Sequence, residues 1–104
     1  MSADKIREYL SHDRGLDLLK TIDNLNPMSI PVNKMKTIKD ISVAMNMPLR
    51  ETWQLIDKAY DADLVMFCGG VLSRKKVDLT ELGEMFCECT TANDIKEVLR
   101  NVKD

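Results

Sequence analysis

The stretch TIKDISVAMNMP, residues 37–48, carries the signals that decide the fold. Thr37 followed three positions later by Asp40 is a variant of the capping box, so we expect a helix to begin directly after Thr37. Asn46 tolerates the left-handed conformation that ends helices, and Pro48 suits the first turn of a following helix. The stretch therefore predicts two consecutive helices separated by a tight turn. The apolar face of the first helix is expected to comprise Ile38, Ile41, Ala44 and Met45.

The second helix is predicted from about Pro48 to Ala62, with Asp63 closing it. Small or apolar side chains recur there at the spacing of one helix face. This stripe comprises Leu49, Thr52, Trp53, Ile56, Ala59 and Tyr60.

A hairpin is predicted after this helix. Residues 64–68 are an apolar run of strand length, and Gly69-Gly70 suits a two-residue type I′ turn. Residues 71–72 and 77–79 are then expected to supply the return strand.

The remaining segments predict further helices. Residues 2–10 and about 11–25 have apolar side chains at close to helical spacing, and residues 28–35 contain two prolines typical of an extended connector or a short edge strand. Thr80 is expected to cap a helix that ends near Thr90 and turns Leu82, Met85 and Phe86 inward. A second capping pattern begins at Thr91, before a helix that carries Ile95, Val98, Leu99 and Val102.

The order helix, connector, helix, tight turn, helix, hairpin, helix resembles the winged helix-turn-helix domain over residues 13–90. The local matches are the first helix and turn around Asn46, the exit Asp61-Ala62-Asp63-Leu64-Val65, and the phrase Leu79-Thr80-Glu81-Leu82-Gly83 before the next helix. The chain departs from the family in having Asn46 and Asp63 where glycine is common. The resemblance implies a mainly α fold with a small β-hairpin wing and extra helices at residues 2–10 and 92–102, in one domain spanning residues 1–104.

In this family the second motif helix lies in the major groove of DNA and the wing approaches phosphates or the minor groove. The resemblance therefore implies that Arg50, Glu51, Gln54 and Lys58 face DNA. Arg50 would fork onto guanine and Gln54 onto adenine, while Glu51 would accept from cytosine or repel a phosphate. The alternative interpretation is that these side chains are the solvated face of an amphipathic helix.

Two short segments are basic and contain no acid, and both fall where the family contacts the DNA backbone. They supply Lys34, Lys36 and Lys39, and Arg74, Lys75 and Lys76. Residues 78–90 hold four acids and no base, on a helix that the family turns away from DNA. We therefore interpret the formal charge of −2 as an uneven distribution, with basic segments toward DNA and an acidic helix turned away from it. Val71 and Leu72 leave two interpretations open. They either pack under the wing, or they form an apolar tip, which would suit a protein surface rather than DNA phosphates.

Composition and motifs argue against a membrane protein, a secreted protein and an enzyme. With 104 residues, 44% of them hydrophobic, the chain is expected to form one folded domain. Its longest charge-free run, residues 64–73, is about half the length of a membrane span, and no secretory signal is evident, so a cytoplasmic protein is expected. No catalytic motif accompanies the single histidine, His12, so an enzyme is not expected.

The three cysteines leave two interpretations open. Cys68, Cys87 and Cys89 are either buried or incidental thiols, or they form a thiol-based sensor or soft-metal site. Zinc prefers four ligands and a C-x-x-C spacing, which the sequence lacks. No metal or cofactor is therefore predicted.

The sequence predicts a transcriptional regulator that binds specific sites on double-stranded DNA. A recognition helix at about 48–62 and a basic wing at about 64–79 would make the contacts. A homodimer through residues 2–10 and 92–102 is expected, because one recognition helix reads few base pairs. The alternative is a winged-helix module that binds another protein and no DNA, which the acidic balance of the recognition helix favours.

Overall fold

The computed structural model describes residues 3–25 and 36–102, and this part of the chain is mainly helical with a small antiparallel sheet. The helices are α1 (Ala3–Leu10), α2 (Gly15–Leu25), α3 (Ile38–Met45), α4 (Leu49–Asp61), α5 (Glu81–Cys87) and α6 (Ala92–Arg100). The strands are β1 (Val65–Phe67) and β2 (Val77–Leu79), and a 3-10 turn (Leu72–Arg74) lies between them. The connector predicted at residues 28–35 lies outside the described residues.

The second predicted helix begins at Gly15, and its predicted start at Ser11 was wrong. The Tyr9 hydroxyl is buried and donates a 2.6 Å hydrogen bond to the Gly15 carbonyl, which holds α1 against the start of α2. A Cβ atom at Gly15 would lie only 2.7 Å from the Tyr9 carbonyl oxygen. The glycine therefore permits a close backbone approach between two helices.

The capping and turn signals around α3 are confirmed. The Thr37 hydroxyl accepts from the Asp40 N–H at 3.3 Å, while the Asp40 carboxylate accepts from the Thr37 N–H at 3.0 Å. Asn46 has φ 53°, in the left-handed region. The predicted apolar face was wrong at Ala44, which is exposed; Ser42 is buried instead and donates to the Met47 carbonyl at 2.7 Å. This bond ties the end of α3 to the turn.

Helix α4 buries Thr52, Leu55, Ile56 and Ala59. The predicted stripe missed Leu55 and was wrong at Leu49 and Tyr60, which are exposed, while Trp53 is half-buried. Burial of Thr52 is possible because its hydroxyl donates to the Pro48 carbonyl at 3.0 Å within the helix. The buried face is therefore rotated toward Leu55 relative to the prediction.

The segment that leaves α4 leads into a two-stranded sheet and then into α5. Asp63 has φ 61°, as its predicted role at the helix end requires, and β1 pairs antiparallel with β2 so that Val65 faces Leu79. The Thr80 hydroxyl donates to the Asp63 carbonyl at 2.6 Å and accepts from the Gly83 N–H at 3.1 Å. One threonine thus caps α5 and joins it to the end of α4.

The last two helices differ in burial. Helix α5 ends at Cys87 and not near Thr90, and Met85, predicted to face inward, is 45% exposed, because Phe86 fills the buried position. Helix α6 begins after Thr91 with the predicted capping box and has no fully buried residue. Its apolar side chains Ile95, Val98 and Leu99 are half-buried against the core, and so is Val102, which was predicted to lie on this helix but follows its end at Arg100.

One cluster of buried side chains draws on helices α1 to α5 and on both strands. Its largest fully buried members include Tyr9, Phe86, Ile6, Leu18 and Ile56. Within the described residues, no helix has the length and apolar character that crossing a membrane demands.

Candidate functional site

The two basic segments of the sequence meet beside the start of α3. Thr37 forms an isolated antiparallel bridge with Lys76, and the Ile38 N–H donates to the Lys75 carbonyl at 3.0 Å. The Val77 N–H donates to the Lys36 carbonyl, which extends this pairing. Five cations are thereby brought to neighbouring backbone positions, and we call them the basic cluster: Lys36, Lys39, Arg74, Lys75 and Lys76.

The cations of this cluster differ in exposure. Lys36, Lys39 and Arg74 are exposed, while Lys75 and Lys76 are half-buried. The Lys75 ammonium lies 4.2 Å from the centroid of the Phe67 ring, a cation–π contact that holds it near the sheet. Lys34, the remaining predicted cation, lies outside the described residues.

Asp40 is an acid next to the basic cluster. The hydrogen bond from the Thr37 backbone, helped by the Thr37 hydroxyl and by Lys36 and Lys39, holds the pKa of Asp40 below its ordinary value. The carboxylate is therefore charged at neutral pH and occupied in capping α3. It offsets part of the positive charge.

The loop between β1 and β2 is not the predicted two-residue hairpin. The Cys68 N–H donates to the Lys76 carbonyl and the Lys76 N–H to the Gly69 carbonyl, both at 2.8 Å, so the pairing closes a loop of several residues. Gly69 and Gly70 have φ values of 110° and 84°, and a Cβ atom at Gly70 would collide with the Arg74 carbonyl. The glycines fold the loop back, so that residues 71–72 lie in it rather than in the return strand.

The loop exposes two apolar side chains. Val71 is 72% and Leu72 80% exposed, so the interpretation that they pack under the wing is wrong. Leu72 has φ 51°, in the left-handed region that bulky residues seldom adopt. We call residues 71–72 the apolar corner of the loop.

The predicted DNA-contact residues of α4 are all exposed, but only three of the four line the same groove. Glu51, Gln54 and Lys58 line a groove of about 690 Å³ that α4 forms with His12 of the turn between α1 and α2. Arg50, in the first turn of α4, is not among the residues that line it. Asp57 also lines the groove, so the wall supplied by α4 mixes both signs of charge.

A pair of aromatic rings connects α4 to the sheet, and no sequence pattern predicted it. Tyr60 and Phe67 have ring centroids 4.8 Å apart with an interplanar angle of 30°. Because Lys75 contacts the same Phe67 ring, the pair anchors part of the basic cluster to the end of α4.

The cysteines do not form a ligand set in the described part of the chain. Cys68, Cys87 and Cys89 carry free thiols, and no group of three or more His, Cys, Asp or Glu side chains there is placed to hold a metal ion. Burial raises the pKa of all three thiols, with nearby acids adding to the effect. A raised thiol pKa reduces the thiolate fraction on which metal binding and oxidation depend.

Comparison with known proteins finds no matching family model, and no curated protein or solved structure shows significant similarity to this chain.

Proposed function

We propose that this protein is a winged helix-turn-helix regulator of transcription that binds specific sites on double-stranded DNA. It acts in the cytoplasm as a non-catalytic protein. The proposal draws on the order of elements: α3, the turn at Asn46 and α4 correspond to the helix-turn-helix, and β1, the loop and β2 to the wing. The Thr37–Lys76 bridge supplies the contact between the start of the motif and the wing.

The observation that carries the proposal is the meeting of the two basic segments. Residues 36–39 and 74–76 are far apart in sequence, yet backbone hydrogen bonds hold them together beside the first helix of the motif. A concentrated positive surface at this position suits the phosphate backbone, which supplies most of the affinity in DNA binding. Phosphate contacts there fix the orientation of the protein on the duplex.

Base recognition is assigned to the first half of α4. Arg50 is exposed near the helix N-terminus, where a guanidinium can fork onto guanine, and Gln54 is exposed one turn later for adenine. Glu51 and Lys58 line the same groove beside His12 as Gln54 does, and they take secondary roles at its edge. Specificity therefore rests mainly on Arg50 and Gln54.

A homodimer completes the proposal, because two half-sites are needed for useful specificity. Helix α6 has three half-buried apolar side chains, Ile95, Val98 and Leu99, and no fully buried residue, and it packs mainly against α5. With α1 it forms the proposed dimer element. Sedimentation equilibrium should show a dimer at tens of micromolar protein, and a clean monomer would contradict this part.

The test is binding to random-sequence duplex DNA as a function of salt, with a charge-matched pair of variants. We expect the wild type to bind with an affinity that falls steeply as salt rises. Lys39→Ala combined with Arg74→Ala removes two exposed cations of the basic cluster. The slope of log K against log salt should become shallower by about 1.8, which is about 0.9 for each lost phosphate contact.

The control is Lys96→Ala combined with Arg100→Ala, which changes the net charge equally but alters exposed residues of α6 that are not part of its apolar face. Because α6 belongs to the proposed dimer element, sedimentation equilibrium must first show that this variant associates as the wild type does. Its salt slope should match that of the wild type. Equal effects of the two double variants would mean that net charge, not the basic cluster, drives binding. Absence of binding even at low salt would contradict the proposed function.

A second candidate function is a protein-binding module, and the charge of α4 favours it. Asp57 and Asp61 are exposed in the second half of this helix, and α4 as a whole has a net charge of −1. These carboxylates would repel a DNA backbone that approached along the full helix. Wild-type protein that ignores DNA at low salt would favour this function.

A further inference from the structure

The apolar corner is set in a positive surface. Val71 and Leu72 are 72% and 80% exposed, and Arg74, Lys75 and Lys76 follow almost directly in the chain. Residues 64–77 contain no acid. A partner that binds the apolar corner therefore also comes close to at least three cations. Its surface must be compatible with an apolar contact that is surrounded by positive charge.

The apolar corner is held in a defined shape. The Arg74 N–H donates to the Val71 carbonyl and the Lys75 N–H to the Leu72 carbonyl, both at 3.0 Å, while the pairing of Cys68 and Gly69 with Lys76 closes the base of the loop. Leu72 sits at φ 51°, a position that suits Asn or Gly far better than a bulky residue. Neither local backbone preference nor burial in the fold accounts for a leucine here, and such a strained, exposed residue points to a function.

The minor groove of DNA fits this combination of features. It is flanked by phosphates that attract cations, and proteins that bind it insert side chains such as leucine between base steps, partly unstacking them. Lys39 and Arg74 are exposed on the basic cluster to contact the flanking phosphates. An acidic protein surface offers negative charge but does not account for a leucine held outward at φ 51° on a hydrogen-bonded loop.

We propose that the apolar corner is a minor-groove wedge, in which Leu72 enters between two base pairs and kinks the duplex. This inference rests on the proposed function, since it assumes that the protein binds DNA through the wing. Pyrimidine–purine steps such as TA unstack most easily, whereas A-tracts are stiff. The wedge therefore adds a preference for flexible steps to the bases read by α4.

The test uses two duplexes of equal length, one of alternating T and A and one a continuous A-tract, each with some adenines replaced by the fluorescent analogue 2-aminopurine. Leu72→Asn removes the wedge and places at φ 51° a residue that tolerates this conformation, so the loop should keep its shape. Leu72→Met keeps an apolar side chain and is the matched control. Circular dichroism and thermal unfolding of both variants verify the fold.

We expect the wild type and Leu72→Met to raise 2-aminopurine fluorescence in the alternating duplex, because the base unstacks. Leu72→Asn should bind this duplex at least about fivefold more weakly without that rise, and should bind the A-tract as the wild type does. Salt-dependent binding by wild type and Leu72→Asn, with equal affinities and no fluorescence change in either, would overturn the wedge while leaving the proposed function intact. Failure of the wild type to bind either duplex would overturn both, as would association of the apolar corner only with a protein or with anionic lipid vesicles.

Discussion

Replacing Gly83 with Ala tests how the protein joins α5 to the sheet. Gly83 is buried in the first turn of α5, and its N–H donates to the Thr80 hydroxyl at 3.1 Å. A Cβ atom there would overlap the Leu64 carbonyl oxygen, and would lie 3.0 Å from the Leu64 carbonyl carbon and 3.4 Å from Leu79 Cδ2. Since the main obstacle is backbone, a change of side-chain rotamer does not relieve it.

The expected loss in the free energy of unfolding follows from the displacement of the Leu64 carbonyl. The Leu64 carbonyl accepts a hydrogen bond from the Thr80 N–H at 3.1 Å, so displacing it weakens a backbone bond, at about 1–3 kcal/mol. Overpacking adds about 1–3 kcal/mol, and the better helix propensity of alanine returns about 1 kcal/mol. The net loss is about 3 kcal/mol, which corresponds to a fall in Tm of about 12–24 °C for a domain of this size.

Thermal and urea unfolding followed by circular dichroism measure this loss. Glu84→Ala is the control, because Glu84 is the exposed neighbour of Gly83 in the same helix, and its Tm should change by no more than about 3 °C. A Gly83→Ala protein whose Tm falls by less than about 4 °C would show that α5 shifts freely on the sheet. The close backbone approach would then not be the reason for glycine at this position.

Two further predictions concern hydrogen bonds of single side chains. Tyr9→Phe removes the donor to the Gly15 carbonyl and should cost about 1–2 kcal/mol in urea unfolding; an unchanged midpoint would show that this carbonyl is satisfied otherwise. Because burial raises the pKa of Tyr9, wild-type stability is fully present below pH of about 10 and falls as the pH rises further, a loss that Tyr9→Phe should reduce. Hydrogen bonding to Thr37 lowers the pKa of Asp40, so its contribution is present above pH of about 4 and is lost on acidification below that value. Asp40→Asn should therefore flatten the acid side of the stability curve, and a curve parallel to that of the wild type would refute this reading of the capping box.

Local chemistry explains which parts of the fold could be predicted from the sequence. The starts of α3, α5 and α6 are set by threonines whose hydroxyls accept a hydrogen bond from the backbone N–H three residues later. The end of α3 depends on the left-handed conformation of Asn46. Each signal involves a few neighbouring residues and little tertiary context, so the sequence predicts it well.

The features that sequence reasoning missed depend on contacts between distant residues. Gly69-Gly70 alone suits a tight hairpin, but the pairing of Cys68 and Gly69 with Lys76 closes a longer loop. The buried face of α4 includes Leu55 because neighbouring helices define which side of α4 is covered. Likewise, the sequence shows two basic segments but not that the Thr37–Lys76 bridge brings them together.

The basic cluster also shows how the proposed DNA binding would be compatible with an acidic net charge. The chain has a formal charge of −2, but its described part measures 34 × 28 × 23 Å, whereas the Debye length is about 8 Å at physiological salt. Charges several Debye lengths from a phosphate contribute little to its attraction. Under the proposed function, the five cations beside the start of α3 would therefore matter more for DNA binding than the net charge, so the two basic segments are a better guide to a phosphate contact than the isoelectric point is.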